Sequence, residues 1–451
     1  MNILFERIKL LLSGDGRSAI VGRNVMASFL IKGVSIIVSF FLVPITIGYI
    51  NSELYGVWLT VSSVMMWIHF LDIGFSQGLK NKLTEALAQE DYEKGRQLVT
   101  TTYVMLVVIF IPVCFILELL VPHINWVHLL NVNESYSKDV INVMHVVIGV
   151  VCLQMIINII VSVIAAFQKV ALSNSFGVIG NILSLIIIIV LRETCPPSLL
   201  ALAITLTVMP TLVTLIASVV LFKGKFNMVA PRLGCFNKNC INELFSLGYK
   251  FFIINIQVLV LYWSTNILIS HVSSPEEVTR YNLAYQLLSV AMMAYNIITA
   301  PLWPAYTDAF ARGDYVWMKK MRSKMQKILF LSVLGCFMLV VLSPLIYKIW
   351  IGNKVSIPLE MTLLVGFYVS AYCWMTLNGT FIVGMGKIKI ETIIVIIGMI
   401  LHIPASLFFG KYIGAYGVVV SLFVINLFYA IVMNFQVDML LNKTAQGIWN
   451  K

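Results

Sequence analysis

The sequence predicts an all-α polytopic membrane protein, with twelve transmembrane helices arranged as two parallel six-helix repeats around a central cavity. Three observations lead there. Of 451 residues, 60% are apolar and only 11% charged, against the roughly 45–50% apolar content of soluble domains, and the mean hydropathy is +0.93. Apolar runs of spanning length recur along the whole chain, and one octet of residues repeats half a chain apart. A soluble chain of this size would divide into charge-covered domains, for which the charge is lacking. The same composition argues against a disordered chain, a secreted disulfide scaffold and a nucleic-acid partner.

A helix crossing ~30 Å of hydrocarbon needs ~20 apolar residues at 1.5 Å each. The runs that meet this are Asn24–Ile50, Leu54–Leu79, Leu98–Val121, Val140–Phe167, Asn174–Leu191, Leu199–Phe222, Lys250–Ser270, Tyr281–Tyr306, Ile328–Ile351, Met361–Val383, Glu391–Phe409 and Ala415–Gln436. Ahead of them lies an amphipathic piece with Glu6, Arg7 and Lys9. The first run lacks a small-residue cleavage site, so it reads as a retained span. The expected organisation is a cytoplasmic segment 1–22, a six-helix lobe 23–222, a basic linker 223–249, a second lobe 250–436 and a tail 437–451.

Lys and Arg set the orientation. Twenty-four of the 31 fall on one side, in the N-terminal segment, the linker, the tail and alternate short loops, including Lys319, Lys320, Arg322, Lys324 and Lys327. Six (Lys138, Arg192, Arg280, Lys348, Lys354, Lys411) fall on the other. Both termini are therefore expected in the cytoplasm. Of the seven cysteines, Cys114, Cys152, Cys336 and Cys373 lie within spans as packing residues. Cys235 and Cys240 are far short of a zinc site.

The repeat pairs Glu85-Ala86-Leu87-Ala88-Gln89-Glu90-Asp91-Tyr92 with Asp308-Ala309-Phe310-Ala311-Arg312-Gly313-Asp314-Tyr315, identical at Ala, Ala, Asp and Tyr. Each octet follows the second span of a six-span half and precedes a basic cluster. Parallel six-span repeats are a transporter architecture in which the binding site belongs between the halves.

Ionisable groups inside spans are costly and mark function by default. Lys32 lies nine residues inside Arg23, about 13 Å deep at 1.5 Å per residue. It joins Asn24, Ser28, Ser35 and Ser39 on one helix face, and such a face must meet protein or water rather than lipid. In the second span Asp72 reaches a similar depth, in a stripe with Ser62, His69 and Ser76. Two readings stay open: a Lys32–Asp72 ion pair that only locks adjacent helices, or two groups lining an aqueous cavity. Applying the octet offset puts neutral Asn255 and Tyr295 at the matching places in the second half.

In the eighth span Asn282, Gln286, Ser289, Met293 and Asn296 form a stripe, with Arg280 at its outer end as a snorkelling residue or a cavity cation. Gln154, Asn158 and Ser162 recur in the fourth span, as interhelical hydrogen bonding would also require. His145 and His402 read as isolated packed residues, and Glu118 as a hydrated one near the outer end of its span. Pro44, Pro112, Pro210, Pro301, Pro304, Pro344 and Pro404 are expected to interrupt their spans. The sequence contains no GxxxxGK[ST] loop, HExxH, CxxC or GxSxG, so neither an enzyme nor a cofactor or metal is expected.

The run Asn24…Lys32-Gly33…Phe41-Leu42-Val43-Pro44, Tyr55-Gly56-Val57-Trp58-Leu59-Thr60 and Asp72-Ile73-Gly74-Phe75…Gly78-Leu79-Lys80-Asn81-Lys82-Leu83 resembles the bacterial O-antigen flippases. These are the polysaccharide-transport branch of the multidrug/oligosaccharidyl-lipid/polysaccharide exporter superfamily. The signature covers about residues 22–103, and hydropathy extends it over the chain. The resemblance implies a multi-pass protein of the bacterial inner membrane that moves an undecaprenyl-diphosphate-linked oligosaccharide from the cytoplasmic to the periplasmic leaflet. It further implies alternating access, a proton or sodium as coupling ion, and other polysaccharide-assembly membrane proteins and membrane lipids as partners. The cavity candidates are then Lys32, Asp72, Arg280, Ser28, Ser35, His69, Asn255, Gln286 and Asn296. A cation-coupled multidrug exporter of the same superfamily is the alternative, and would favour anionic cavity groups. A membrane glycan polymerase or ligase is a third reading, disfavoured because the longest outer loop, about Pro122–Asp139, is short.

Overall fold

The computed structural model describes residues 17–72, 74–299 and 302–450, and every regular element among them is helical. In chain order these are α1 (Arg17–Ile50), α2 (Ser52–His69), α3 (Phe75–Ala88), α4 (Tyr92–Leu120), α5 (Trp126–Leu130), α6 (Ser137–Ile157), α7 (Ile159–Ala166), α8 (Val170–Thr194) and α9 (Leu199–Lys223). They continue with α10 (Lys238–Val258), α11 (Thr265–Val272), α12 (Pro275–Thr299), α13 (Leu302–Ala311), α14 (Tyr315–Trp350), α15 (Leu359–Gly384), α16 (Lys389–Ile413) and α17 (Ala415–Leu441).

Among the described residues, eight stretches are long and apolar enough to cross a bilayer: Leu30–Ile50, Tyr92–His123, Glu134–Ala166, Ala171–Thr194, Leu199–Lys223, Tyr315–Trp350, Lys389–Ile413 and Ala415–Leu441. They coincide with the first, third to sixth, ninth, eleventh and twelfth expected spans. The protein is a multi-pass membrane protein. The remaining four expected spans, the second, seventh, eighth and tenth, carry more polar residues or a break in the helix.

By packing, the chain forms two compact units. Unit 1 runs to Asn51 and takes in Met65–Val127 and Asn133–Ile256, while unit 2 comprises Ser52–Val64, His128–Val132 and Gln257–Lys451. Within unit 1, α1 packs on α8, α8 on α9, α9 on α6, and α6 on α4. Within unit 2, α15 packs on α12, α14 and α17, and α17 on α16. The core of unit 2 is rich in tyrosine: Tyr295, Tyr306, Tyr368 and Tyr429 are fully buried, and Tyr306 stacks on Phe381 at 3.8 Å.

The second span is not one helix. After α2 a short 3-10 turn covers Phe70–Asp72, and Gly74, at φ 79°, starts α3 from the left-handed region, which glycine enters without steric cost. The two carboxylate oxygens of Asp72 accept the Ser76 amide at 3.1 and 3.2 Å, satisfying a donor that a helix start leaves open. The fourth span is likewise divided at Asn158. The seventh contains a π-helical turn, Leu259–Trp263, in which the Ser264 amide reaches back to the Leu259 carbonyl at 3.1 Å. By contrast, Pro44, Pro112, Pro210, Pro344 and Pro404 sit inside continuous helices. Each proline removes one bond of the ladder, and the neighbouring bonds hold the helix together.

The repeated octet is a helix–turn–helix link in both units. Asp91 caps α4 by accepting the Lys94 amide at 2.9 Å, and Asp314 caps α14 by accepting the Trp317 amide at 2.9 Å. In both, the residue before the aspartate has positive φ, 59° at Glu90 and 70° at Gly313. One of the four identities, the aspartate, is thus capping chemistry, and the turn beside it is shared in conformation though not in residue type. Glu90→Gly is expected to stabilise the protein by about 0.5–1 kcal/mol, because the left-handed conformation costs a side-chain-bearing residue about 1–2 kcal/mol and glycine's extra unfolded-state freedom returns part of that. A thermal unfolding midpoint in detergent that stays level or falls would contradict this.

Candidate functional site

Unit 1 contributes a cation, Lys32, that joins no ion pair among the described residues. Midway along α1, Leu30 (67% exposed), Val34, Ile37 and Phe41 (59%) form an exposed apolar stripe. Lys32, also exposed, lies about 200° round the helix from Leu30 at 3.6 residues per turn, and half-buried Ser35 and Ser39 share its side. A helix with an apolar stripe on one side and Lys-Ser-Ser on the other turns the first to lipid and the second to water or protein. The side chain of Ser28, expected on the same face, lies outside the described residues, as does that of Asn255.

Lys32 and Asp72 do not pair: no ion pair among the described residues joins them. The reason is the break in the second span. Asp72 is only 9% exposed and spends its carboxylate on the first turn of α3. Nor do Ser62, His69, Asp72 and Ser76 form one helix face. Ser62 donates to the Leu59 carbonyl in unit 2, His69 Nδ1 lies 2.9 Å from the Met65 carbonyl in unit 1, and the helix ends between His69 and Asp72.

The structure also bears on three other readings. Arg280 is neutralised within its own helix by Glu277 and, at 3.8 Å, by Glu276, which leaves it a poor cation for a ligand. Glu118 and His145 are partners of each other, joining α4 to α6. His402 is fully buried in unit 2, with Nδ1 3.1 Å from Ser421 Oγ and 3.4 Å from Ser406 Oγ, a packed and hydrogen-bonded residue.

The polar surface that sequence reasoning only half found is in unit 2. The second, seventh, eighth and tenth expected spans, which are broken or carry more polar residues, all contribute to it. From α2 comes Ser63, from α11 Asn266 and from α12 Asn282: Asn282 Nδ2 donates to Asn266 Oδ1 at 2.8 Å, and Asn266 Nδ2 donates to Ser63 Oγ at 2.9 Å. Beside this relay lies a tyrosine cluster from three helices. Tyr281 stacks on Tyr285 at 6.0 Å, Tyr285 on Tyr368 at 6.2 Å, and Tyr262 lies 6.4 Å from Tyr368 and 5.9 Å from Tyr372. Tyr262 stands in the π-helical turn and its hydroxyl donates to Asn426 Oδ1 at 3.1 Å.

Tyr262, Asn266, Asn282, Tyr285 and Tyr372 are all half-buried, as are Gln286, Ser289 and Asn296 along α12. The α12 stripe was legible as a stripe. Its partners were not, although the i, i+4 pairs Tyr262/Asn266, Tyr281/Tyr285 and Tyr368/Tyr372 carry the signal. Together they make a surface of aromatic faces edged with amides and hydroxyls. Such a surface can cover the C–H faces of a polyol and hydrogen-bond its rim.

Comparison with known proteins gives a family and a fold. A family described as polysaccharide biosynthesis protein matches residues 21–310. A protein of Yersinia pseudotuberculosis, provisionally named for O-antigen export, is 22% identical over 365 residues, covering 79% of this chain and 81% of that one. Among solved structures, an inward-facing multidrug resistance MATE-family transporter of the MOP superfamily superposes with a TM-score of 0.73 at 11% identity, covering 92% of this chain and 95% of that one. A MOP-superfamily transporter from Pyrococcus furiosus, described as having a binding pocket of reversed polarity, gives 0.63 at 13% identity, covering 97% and 98%.

Proposed function

Because this chain belongs to the polysaccharide biosynthesis protein family and has the fold of the MOP-superfamily transporters, we propose that it is a flippase for a lipid-linked oligosaccharide. Its cargo is an undecaprenyl-diphosphate-linked surface-glycan unit of the O-antigen type, moved from the cytoplasmic to the periplasmic leaflet of the bacterial inner membrane with both termini cytoplasmic. The observation that carries the reading is the composition of unit 2, where several spans gather amides and tyrosines into one half-buried surface. A cationic drug would call for an open carboxylate instead, and Asp72 is committed to capping α3.

The load has three parts and the chain offers chemistry for each. A diphosphate needs a cation, and Lys32 is exposed within the first span without a carboxylate partner among the described ion pairs. A hydrated glycan needs hydrogen-bond donors and acceptors beside apolar faces, as in the Asn266–Asn282–tyrosine surface. The polyprenyl tail needs no protein site, since it stays in hydrocarbon. Transport then proceeds by alternating access coupled to a proton or sodium gradient, among other membrane proteins of polysaccharide assembly. The deciding experiment is reconstitution into sealed vesicles with a fluorescent lipid-linked oligosaccharide. Protein-dependent appearance of the label on the opposite leaflet is expected. Transport of a lipophilic cation without transport of the glycolipid would replace this reading with a multidrug exporter.

A further inference from the structure

At one end of unit 2, the early turns of α14 and the last turns of α17 enclose a cavity of about 230 Å³, lined in part by Lys319, Arg322, Ser323, Gln326, Asn434 and Asp438. Arg322 is its fixed wall. It is only 7% exposed, donates to Asp438 and, at 2.9 Å, to Asn434 Oδ1, and keeps a buried Nε–H without a partner. Asn434 Nδ2 donates to the second oxygen of Asp438 at 3.2 Å. Both oxygens of the one acidic residue lining the cavity are therefore occupied, which makes the cavity a poor site for a cation. Lys319 is exposed, donates to the neutral Asn442 Oδ1 at 2.8 Å, and joins no carboxylate among the described ion pairs. The charge of Arg322 is balanced by Asp438, so the open ammonium of Lys319 is the free charge, and with the neighbouring hydroxyl and amide donors it makes an anion-binding set.

Its place along α14 says which anion. From Phe330 outward the helix exposes Phe330, Leu331, Leu334, Met338 and Val341, each by more than half, and such a row lies in hydrocarbon. Gln326 and Ser323 lie four and seven residues before Phe330, about 6–11 Å at 1.5 Å per residue. The headgroup layer is about 5–8 Å thick on each side of the hydrocarbon, so Gln326 lies within it and Ser323 at its water-facing edge, with Lys319, eleven residues before Phe330, on its aqueous side. Lys320, Lys324 and Lys327 are exposed around the same turns and raise the local concentration of anionic lipid.

We propose that this cavity holds the phosphate of an anionic membrane lipid. Lys319 supplies the movable charge, Ser323 and Gln326 supply donors, and Arg322 is held in place by Asp438 and Asn434. The site is separate from the glycan surface and does not depend on the flippase reading.

The test is native mass spectrometry of the full-length detergent-purified protein titrated with phosphatidylglycerol, phosphatidylcholine, a polyprenyl diphosphate, or inorganic phosphate. One phosphatidylglycerol is expected to stay bound, about tenfold more weakly after Lys319→Gln, which removes a charge-assisted bond. Ser323→Leu, which fills the cavity without touching the Arg322–Asp438 pair, is expected to weaken it as much. Lys348→Gln at the opposite end of α14 is expected to leave it unchanged. Displacement of phosphatidylglycerol by the polyprenyl diphosphate supports the site and names the diphosphate as its physiological occupant; no displacement names the phospholipid. Equal retention of phosphatidylcholine, unaltered retention in Lys319→Gln and Ser323→Leu, or binding of inorganic phosphate without either lipid overturns the proposal.

Discussion

Gly56→Ala is expected to prevent unit 2 from folding. A Cβ at this position would stand 1.7 Å from the Pro275 carbonyl oxygen and 2.4 Å from its carbon, and these are backbone atoms that cannot swing aside. The approach is reinforced on both sides: Thr279 Oγ1 donates to the Ser52 carbonyl at 2.7 Å, and Thr60 Oγ1 donates to the Gly56 carbonyl at 2.9 Å. Accommodating one methyl requires α2 to move away from α12, at a cost above the ~1–3 kcal/mol usual for an overpacked core. The readout is the yield of monodisperse protein by fluorescence-detected size exclusion, and a near-total loss is expected. Gly33→Ala is the matched control, since a Cβ there meets nothing within 4 Å. It is expected to be neutral, or stabilising by up to about 1 kcal/mol through helix propensity. Equal yields of the two variants would show that the close approach is not required.

Lys32→Ala is expected to lower transport about ten- to a hundredfold while leaving protein level and melting temperature unchanged. The size follows from losing a charge-assisted bond to phosphate, about 1.5–3 kcal/mol, with each 1.4 kcal/mol worth a factor of ten. The stability follows from exposure: Lys32 makes no ion pair among the described residues, and exposed side chains without partners change stability by about 0.5 kcal/mol or less. Lys32→Arg keeps the charge and is expected to retain most activity. Surface glycan and protein level must be measured separately. Normal glycan at normal level in Lys32→Ala removes Lys32 from the binding machinery.

The break in the second span shows where sequence reasoning stops. Leu54–Leu79 is apolar enough to pass as one helix, and its warning in the sequence is Asp72 two residues before Gly74. An aspartate in a span can be an ion-pair partner, a cavity group or a cap, and the choice depends on which donors are left open nearby. Once Gly74 takes a positive φ, the first turn of α3 supplies those donors. The octet is the opposite case. Its shared Asp and Tyr were visible without coordinates because a capped turn is a local device, set within a few residues of the chain.

By itself, the sequence determined the membrane class, the run of spans and the place of Lys32 within an apolar run, all of which follow from how many residues tolerate hydrocarbon and how many charges remain to sit outside it. It also displayed the polar stripe of α12 and the basic turns of α14. Only the tertiary structure decided what those groups meet: Asn282 meets Asn266 and then Ser63, Arg280 meets Glu277, and Arg322 meets Asp438 and Asn434 more than a hundred residues away. Hydropathy is a property of each residue in its solvent and can be summed along a chain. A partner is a property of two residues brought together, and partners distant in sequence are fixed only when the helices pack.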